Sequence, residues 1–255
     1  SYLNNIEKRI KFGSNLKFSQ VFPLTFDLSI HDIFVCWKYA GILIPVPEKL
    51  MLSPAKFIKE KKIEVWFSVP SQISLLHQLG LLTKNMFPNI KISMFCGEAL
   101  TLDGAQKWIK AATNSEVYNL YGPTETTIAI SSYKLPNNIN NIKSKYGIVS
   151  LGKIFKNHEI KIKKNELILK GPQVTQKYWN NIGKSSEVFL NSRGIFSYRT
   201  GDLIEIENDN IFYVARKDNQ VKINGNRVEL EEINTELGKL IHKAIIYTVN
   251  QTTNF

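Results

Sequence analysis

The sequence predicts an α/β protein: a parallel sheet with helices on both faces, then a small β-barrel-like unit and the start of a separate α+β lobe. Three observations predict it. Short apolar runs alternate with helically spaced segments from residue 18 to about 133. The texture then changes to alternating, turn-separated strands. From residue 218 it changes again, to strand, Asn-Gly turn, strand, helix, strand. The expected units are 1–147, 148–217 and 218–255.

In chain order, "SYLNNIEKRIKF" reads as helix from the first residue. The strands of the sheet are "FSQVFPL", "GILIPV", "VWFSV", "ISMFC" and "EVYNLY". Between them lie the helical segments "SIHDIFVCWKY", "PAKFIKEKK", "SQISLLHQLGLL" and "LDGAQKWIKAAT". In parallel sheets, ligands bind outside the carboxyl ends of the strands, so the exits "FCGEAL" and "NLYGPTE" are candidate site edges. Residues 134–147 form an Asn-rich connection. "HEIKIKKNELILKG" reads as a hairpin, and "GIFSYRTGDLIEIENDNIFYVARKD" as three more strand-like runs turning at "END". The start at Ser1 in mid-helix and the stop after an apolar strand read as an internal piece of a longer protein.

Composition narrows the function. The 255 residues carry 43% hydrophobic side chains, enough for a sizeable core. The net charge of +11 comes mostly from lysines spread over the whole length, without the basic and aromatic interleaving of a nucleic-acid face. Neither a nucleic acid nor a membrane is an expected partner. Cys36 and Cys96 lie in apolar runs, which points to a reducing, cytoplasmic setting. The stretch "YAGILIPVP" is too short and too proline-broken to span a bilayer.

Some chemistry is excluded. "IGKSS" has Tyr178 where a P-loop needs its first glycine, and reads as a helix-capping loop. Histidines 31, 77, 158 and 242 lack metal spacing, with His77 and His242 expected on helix surfaces. No Gly-x-Ser-x-Gly elbow is present. Four polar clusters remain: "TFDLS", "GPTET", "YRTGDL" and "ARKDNQVKINGNR". Each has a plain alternative; Asp27, for one, could simply cap the helix after it.

In order and spacing, "NLYGPTETT", "YRTGDL" and "ARKDNQVKINGNRVELEEIN" closely resemble core motifs of the adenylate-forming (AMP-binding) enzymes. "FDLS" and "FCGEAL" resemble the amino-acid-activating branch: adenylation domains of nonribosomal peptide synthetases and D-alanine–carrier protein ligases. The resemblance implies ATP- and Mg²⁺-dependent activation of an amino acid to an aminoacyl-AMP with release of pyrophosphate. Transfer to the phosphopantetheine thiol of a carrier protein follows. It makes 1–147 and 148–217 parts of one large domain and 218–255 the start of the small C-terminal domain.

Residue by residue, the resemblance makes Glu125 the Mg²⁺ ligand and Thr124 a hydrogen-bond partner of a phosphate oxygen. Tyr121 stacks on adenine, Asn119 reaches its amino edge, and Gly97 leaves room for the base. Asp202 holds the ribose hydroxyls and Arg216 lies near ribose or phosphate. Asp218 is the hinge, while Lys222 and Gly225 belong to a loop that approaches the site. Asp27 pairs with the substrate ammonium. Leu28, His31, Phe67, Met94, Cys96, Leu120, Ile128 and Ala129 line the side-chain pocket, which suits a small or medium apolar amino acid. Cys96 in "FCGE" makes D-alanine a candidate; His31 adds a polar contact or packs on the rim.

Two family parts are not found: the Ser/Thr/Gly-rich phosphate loop upstream of "FDLS" and the catalytic lysine of the C-terminal domain. The expectation is therefore that the chain alone is inactive or nearly so, with apolar surface exposed where neighbours are missing. Two alternatives stay open. One is a non-catalytic nucleotide- or carrier-binding module. The other is an acyl-CoA synthetase-like ligase, which Asp27→Ala would leave unaffected.

Overall fold

A computed structural model describes residues 1–218, 220–223, 226–230, 233 and 237. The first helix, α1 (Tyr2–Arg9), precedes β1 (Lys17–Gln20), α2 (Leu28–Lys38), β2 (Ile42–Pro45), α3 (Ala55–Lys61) and β3 (Val65–Ser68). Next come α4 (Ser71–Gln78), β4 (Ile92–Phe95), α5 (Leu102–Ala111) and β5 (Glu116–Tyr121). Local chemistry sets these boundaries. The Thr101 hydroxyl accepts from Gly104 N to start α5, and Lys62 ends α3 in the left-handed conformation.

The alternation from β1 to β5 gives the expected parallel sheet, in order β2-β1-β3-β4-β5. Every residue of β3 and β4 is buried, as a sheet covered on both faces requires. One edge departs from the parallel expectation. After β5, β6 (Ser131–Lys134) returns antiparallel. β7 (Ser144–Lys145) and β8 (Ile148–Val149) form a short antiparallel pair, and β9 (Lys153–Ile154) then adds antiparallel to β6. The turn between β5 and β6 is too short for a parallel crossover, so the chain reverses direction.

The core centres on Trp66 and Trp108, both fully buried. Trp108 packs on Phe87 and Phe95, and its indole N–H donates to Ser93 Oγ at 2.8 Å. Trp108→Ala is expected to lower unfolding free energy by about 3–5 kcal/mol, measured by urea denaturation. At the surface, Ile30, Phe34 and Trp37 make an exposed apolar stripe on α2.

The second unit contains β10 (Glu159–Lys163), β11 (Glu166–Lys170), α6 (Ile182–Val188), β12 (Phe189–Ser192), β13 (Ile195–Glu207) and β14 (Asn210–Arg216). β10 and β11 are the predicted hairpin, turning through Lys164 and Asn165, both at positive φ. The barrel-like expectation is corrected: the described strands form an open sheet. β13 pairs β11 on one side and shares its other side between β12 at its start and β14 at its end. No described strand closes β10 onto that far edge. The first two of the three expected runs are one continuous strand, β13, with Gly201 at φ +74° inside it. "GKSS" lies within α6 rather than in a capping loop; Asn181 before it supplies the cap, accepting from Lys184 N at 3.0 Å.

Beyond residue 218, β15 (Gln220–Ile223) and β16 (Asn226–Glu229) pair antiparallel. Gly225, with the Asn-Gly turn, and His242 lie outside the described residues, as does most of the helix and strand expected after β16.

Candidate active site

Asp27, the "GPTET" turn, Asp202 and Arg216 converge beyond the carboxyl ends of β4 and β5. β5 delivers Asn119 and Tyr121, and Gly122-Pro123 then leads into a single 3-10 turn, Thr124–Thr126. Gly122 is required by close approach: a Cβ there would lie 2.6 Å from Ala129 Cα. Thr124 is exposed on the turn, whereas Glu125 is buried and its Oε1 accepts from the Tyr178 hydroxyl at 2.6 Å.

β13 and β14 bring Asp202 and Arg216 to the same place. The Tyr121 hydroxyl donates to Asp202 Oδ2 at 2.5 Å. Burial, then the neighbouring Asp202 charge, pushes the Tyr121 phenol up, so it stays a donor. Arg216 donates to Asp202 Oδ1 at 2.9 Å and to the Thr200 carbonyl at 2.7 Å. It also grips Asp218 with two bonds, at 2.8 and 2.6 Å. Gly201 makes this possible, since a Cβ would meet the Arg216 guanidinium at 2.8 Å. Lys222 is on β15 opposite Arg227.

Asn119 is buried. Its Nδ2 donates to Ser150 O at 2.9 Å, while its Oδ1 makes no hydrogen bond to any described residue. A buried amide oxygen left open costs free energy unless a ligand N–H meets it. Gly97 has φ +92°, and a Cβ there would sit 3.4 Å from Val69 and 3.7 Å from Leu28.

Asp27 occupies the N-cap position of α2, yet its side chain makes no cap bond. Its Oδ2 instead accepts from Ile128 N at 3.1 Å, across 101 residues of sequence. Burial raises its carboxyl pKa despite that bond and weaker ones from the Thr124 side chain and Leu28 N. The predicted pocket residues are all buried. Leu28, Phe67, Met94, Cys96, Leu120, Ile128 and Ala129 belong to one apolar cluster. His31 packs its ring 4.7 Å from Phe67.

His31 hydrogen-bonds Tyr2 Oη at 2.7 Å and is wholly buried, which lowers its pKa to about 3. The folded state thus refuses a proton that the unfolded state accepts near pH 6.5. Stability is therefore fully present above about pH 6.5 and declines toward pH 3, by about 1.4 kcal/mol per pH unit for this group. Urea midpoints at pH 7 and pH 5, compared with those of His31→Phe, check it: the variant's pH dependence should be shallower.

Three groups near the site escaped sequence reasoning. Asp32 is buried, accepting from Val21 N at 3.3 Å, and burial raises its carboxyl pKa well above the usual range. Gln173 and Tyr178 reach the site from "GPQVTQKYW". The only signal was the placement of polar side chains just past the exit of a buried strand, β11.

A family model described as "AMP-binding enzyme" matches residues 1–179. The chain belongs to the AMP-binding enzyme family. Among curated relatives, a D-alanine--D-alanyl carrier protein ligase of Staphylococcus epidermidis is 33% identical over 251 residues, covering 94% of this chain and 50% of the relative. One from Bacillus licheniformis is 30% identical over 231 residues, covering 85% and 45%. The Vibrio cholerae adenylation domain AlmE, solved in complex with glycyl-adenosine-5'-phosphate, superimposes with a TM-score of 0.85 at 35% identity. That match covers 93% of this chain and 47% of AlmE. IdnL7 superimposes at 0.79 with 32% identity, covering 91% and 48%. The chain spans about half the length of the curated relatives it matches. No helix among the described residues is long and apolar enough to cross a membrane.

The candidate site has side chains whose chemistry suits a nucleotide and a hard metal ion. The open Asn119 Oδ1 suits an adenine amino group. No cluster of three metal-ligating side chains occurs among the described residues. Glu125, buried on the turn, offers one carboxylate, and Mg²⁺ takes one or two carboxylates beside phosphate and water oxygens.

Proposed function

We propose that this chain forms the nucleotide- and amino-acid-binding part of a cytoplasmic enzyme that adenylates a small amino acid. The enzyme then passes the aminoacyl group to the phosphopantetheine thiol of a carrier protein. The observation that carries the reading is the Asp27 carboxylate, which reaches from the start of α2 to the loop that holds Glu125. An acid there binds an α-ammonium while the neighbouring turn handles phosphate and metal.

In this reading the large domain comprises 1–147 and 148–217, and 218–255 opens the small one. Tyr121 stacks on adenine, Asn119 Oδ1 accepts from its amino group, and Gly97 lets the base lie against backbone. Asp202, held by Tyr121 at one oxygen and Arg216 at the other, accepts from the ribose hydroxyls with its remaining lone pairs. Thr124 binds a phosphate oxygen, and Glu125 holds Mg²⁺. The metal, when bound, offsets phosphate charge that would otherwise repel the attacking carboxylate. Asp218 is the hinge, and Lys222 belongs to the loop that approaches for thiol transfer.

Tight burial of the pocket residues favours a small side chain: none of Leu28, His31, Phe67, Met94, Cys96, Leu120, Ile128 and Ala129 exceeds 6% exposure. The names of the relatives, a D-alanine ligase and a glycyl-adenylate complex, support the same size class. The test is pyrophosphate exchange by the full-length protein with D-alanine, glycine, L-alanine and larger amino acids. Exchange confined to the smallest is expected. No exchange with any amino acid, or exchange with fatty or aryl acids instead, rejects the reading.

A further inference from the structure

Two side chains without a role in the family resemblance reach the 121–130 turn from one segment, residues 171–178. Gln173 is buried beneath the turn. Its Nε2 lies within hydrogen-bond distance of the carbonyls of Thr126 (3.2 Å), Thr127 (3.3 Å) and Ala129 (2.9 Å). Its Oε1 accepts from Asn5 of α1 at 3.2 Å, and its main-chain carbonyl accepts from the Thr127 hydroxyl at 2.8 Å. A little further on, Thr175 N donates to the Glu125 carbonyl at 2.8 Å, and Tyr178 donates to the Glu125 carboxylate.

These bonds meet where the backbone needs them. Thr127 and Ile128 are consecutive β-branched residues at φ +61° and +67°. Side chains of that shape occupy the left-handed region only where the surroundings over-determine it. The step turns Ile128 N onto Asp27 and leads into Ile128 and Ala129, which belong to the apolar cluster. Tyr178, for its part, packs its ring against Phe189 at 5.1 Å, so its hydroxyl arrives on a fixed ring.

We propose that segment 171–178 is a brace with two separable tasks. Tyr178 is a positioning residue for the Glu125 carboxylate. Gln173 is a positioning residue for the left-handed step that carries the amino-acid pocket wall. The proposal rests on the adenylation reading above and adds that metal and amino-acid binding are tuned from one segment through different side chains.

The experiment uses the full-length protein and separates the two constants. Tyr178→Phe keeps the ring packing and removes one hydrogen bond to a charged group. It should raise the Mg²⁺ concentration for half-maximal pyrophosphate exchange about tenfold, with the amino-acid KM within about twofold. Without turnover, calorimetry of a non-hydrolysable ATP analogue should find the tightening by Mg²⁺ reduced by the same factor. Gln173→Met keeps the volume and removes the donors. It should raise the amino-acid KM about tenfold and leave the Mg²⁺ requirement unchanged. Thr127→Val removes the reciprocal bond at an exposed site and should shift the amino-acid KM in the same direction, while Thr127→Ser should match the wild type. The Thr127 pair decides if Gln173→Met does not fold. The proposal is overturned if Tyr178→Phe or Gln173→Met moves both constants together, if neither constant moves, or if Thr127→Val and Thr127→Ser behave alike. A wild type without pyrophosphate exchange rejects the adenylation reading itself, a distinguishable result.

Discussion

Glu125→Gln is expected to lower amino-acid-dependent pyrophosphate exchange by about a hundredfold or more in the full-length protein. The substitution keeps the size and hydrogen-bonding capacity of a buried side chain, so Tyr178 still has an oxygen to donate to. What it removes is the negative charge that holds Mg²⁺ near the phosphates. Stabilisation of developing charge inside a water-poor site is worth about 10²–10³ in rate per group. Added Mg²⁺ should recover part of the loss. A melting temperature within a few degrees of the wild type separates a site effect from unfolding. A variant with unchanged exchange would remove Glu125 from the metal site.

Asp27→Asn should raise the amino-acid KM by about a hundredfold while leaving ATP binding nearly unchanged. The amide oxygen still accepts from Ile128 N, so the loop geometry survives and the charge alone is lost. Removing one partner of a buried charge pair costs about 2–5 kcal/mol of binding. The wild type also predicts a pH signature. Burial raises the Asp27 carboxyl pKa, so the ammonium-binding carboxylate is lost at a higher pH than an ordinary aspartate would be. As pH falls through that raised value, kcat/KM for the amino acid should fall, and Asp27→Asn should lack this limb. For stability the sign is the opposite. The folded state holds this proton more tightly than the unfolded one, so Asp27 costs stability as pH rises above the ordinary aspartate range. Asp27→Asn should therefore fold at least as stably at pH 7.

Much of this protein is local. Alternating apolar runs and helical spacing place β1 to β5 and the intervening helices, because amphipathic periodicity and turn chemistry act over a few residues. The nucleotide-handling candidates were also legible, because "NLYGPTE" and "YRTGDL" are contiguous strings at strand exits. Where local reasoning erred, longer geometry won. β6 reversed because the chain after β5 had no length to cross over, and β13 ran through Gly201 as one strand instead of two.

What the sequence by itself determined, then, was the order of elements, the family and the identity of the side chains available to a site. Only the tertiary structure decided which of them meet. Asp27 could have capped its helix; it bonds instead to Ile128, 101 positions away. Tyr178 reaches Glu125 across 53 positions, and Gln173 links the turn to Asn5 across 168. No periodicity or propensity encodes such pairs. They form because a collapsed core puts buried polar groups next to one another, and each must find a partner there or pay for its desolvation.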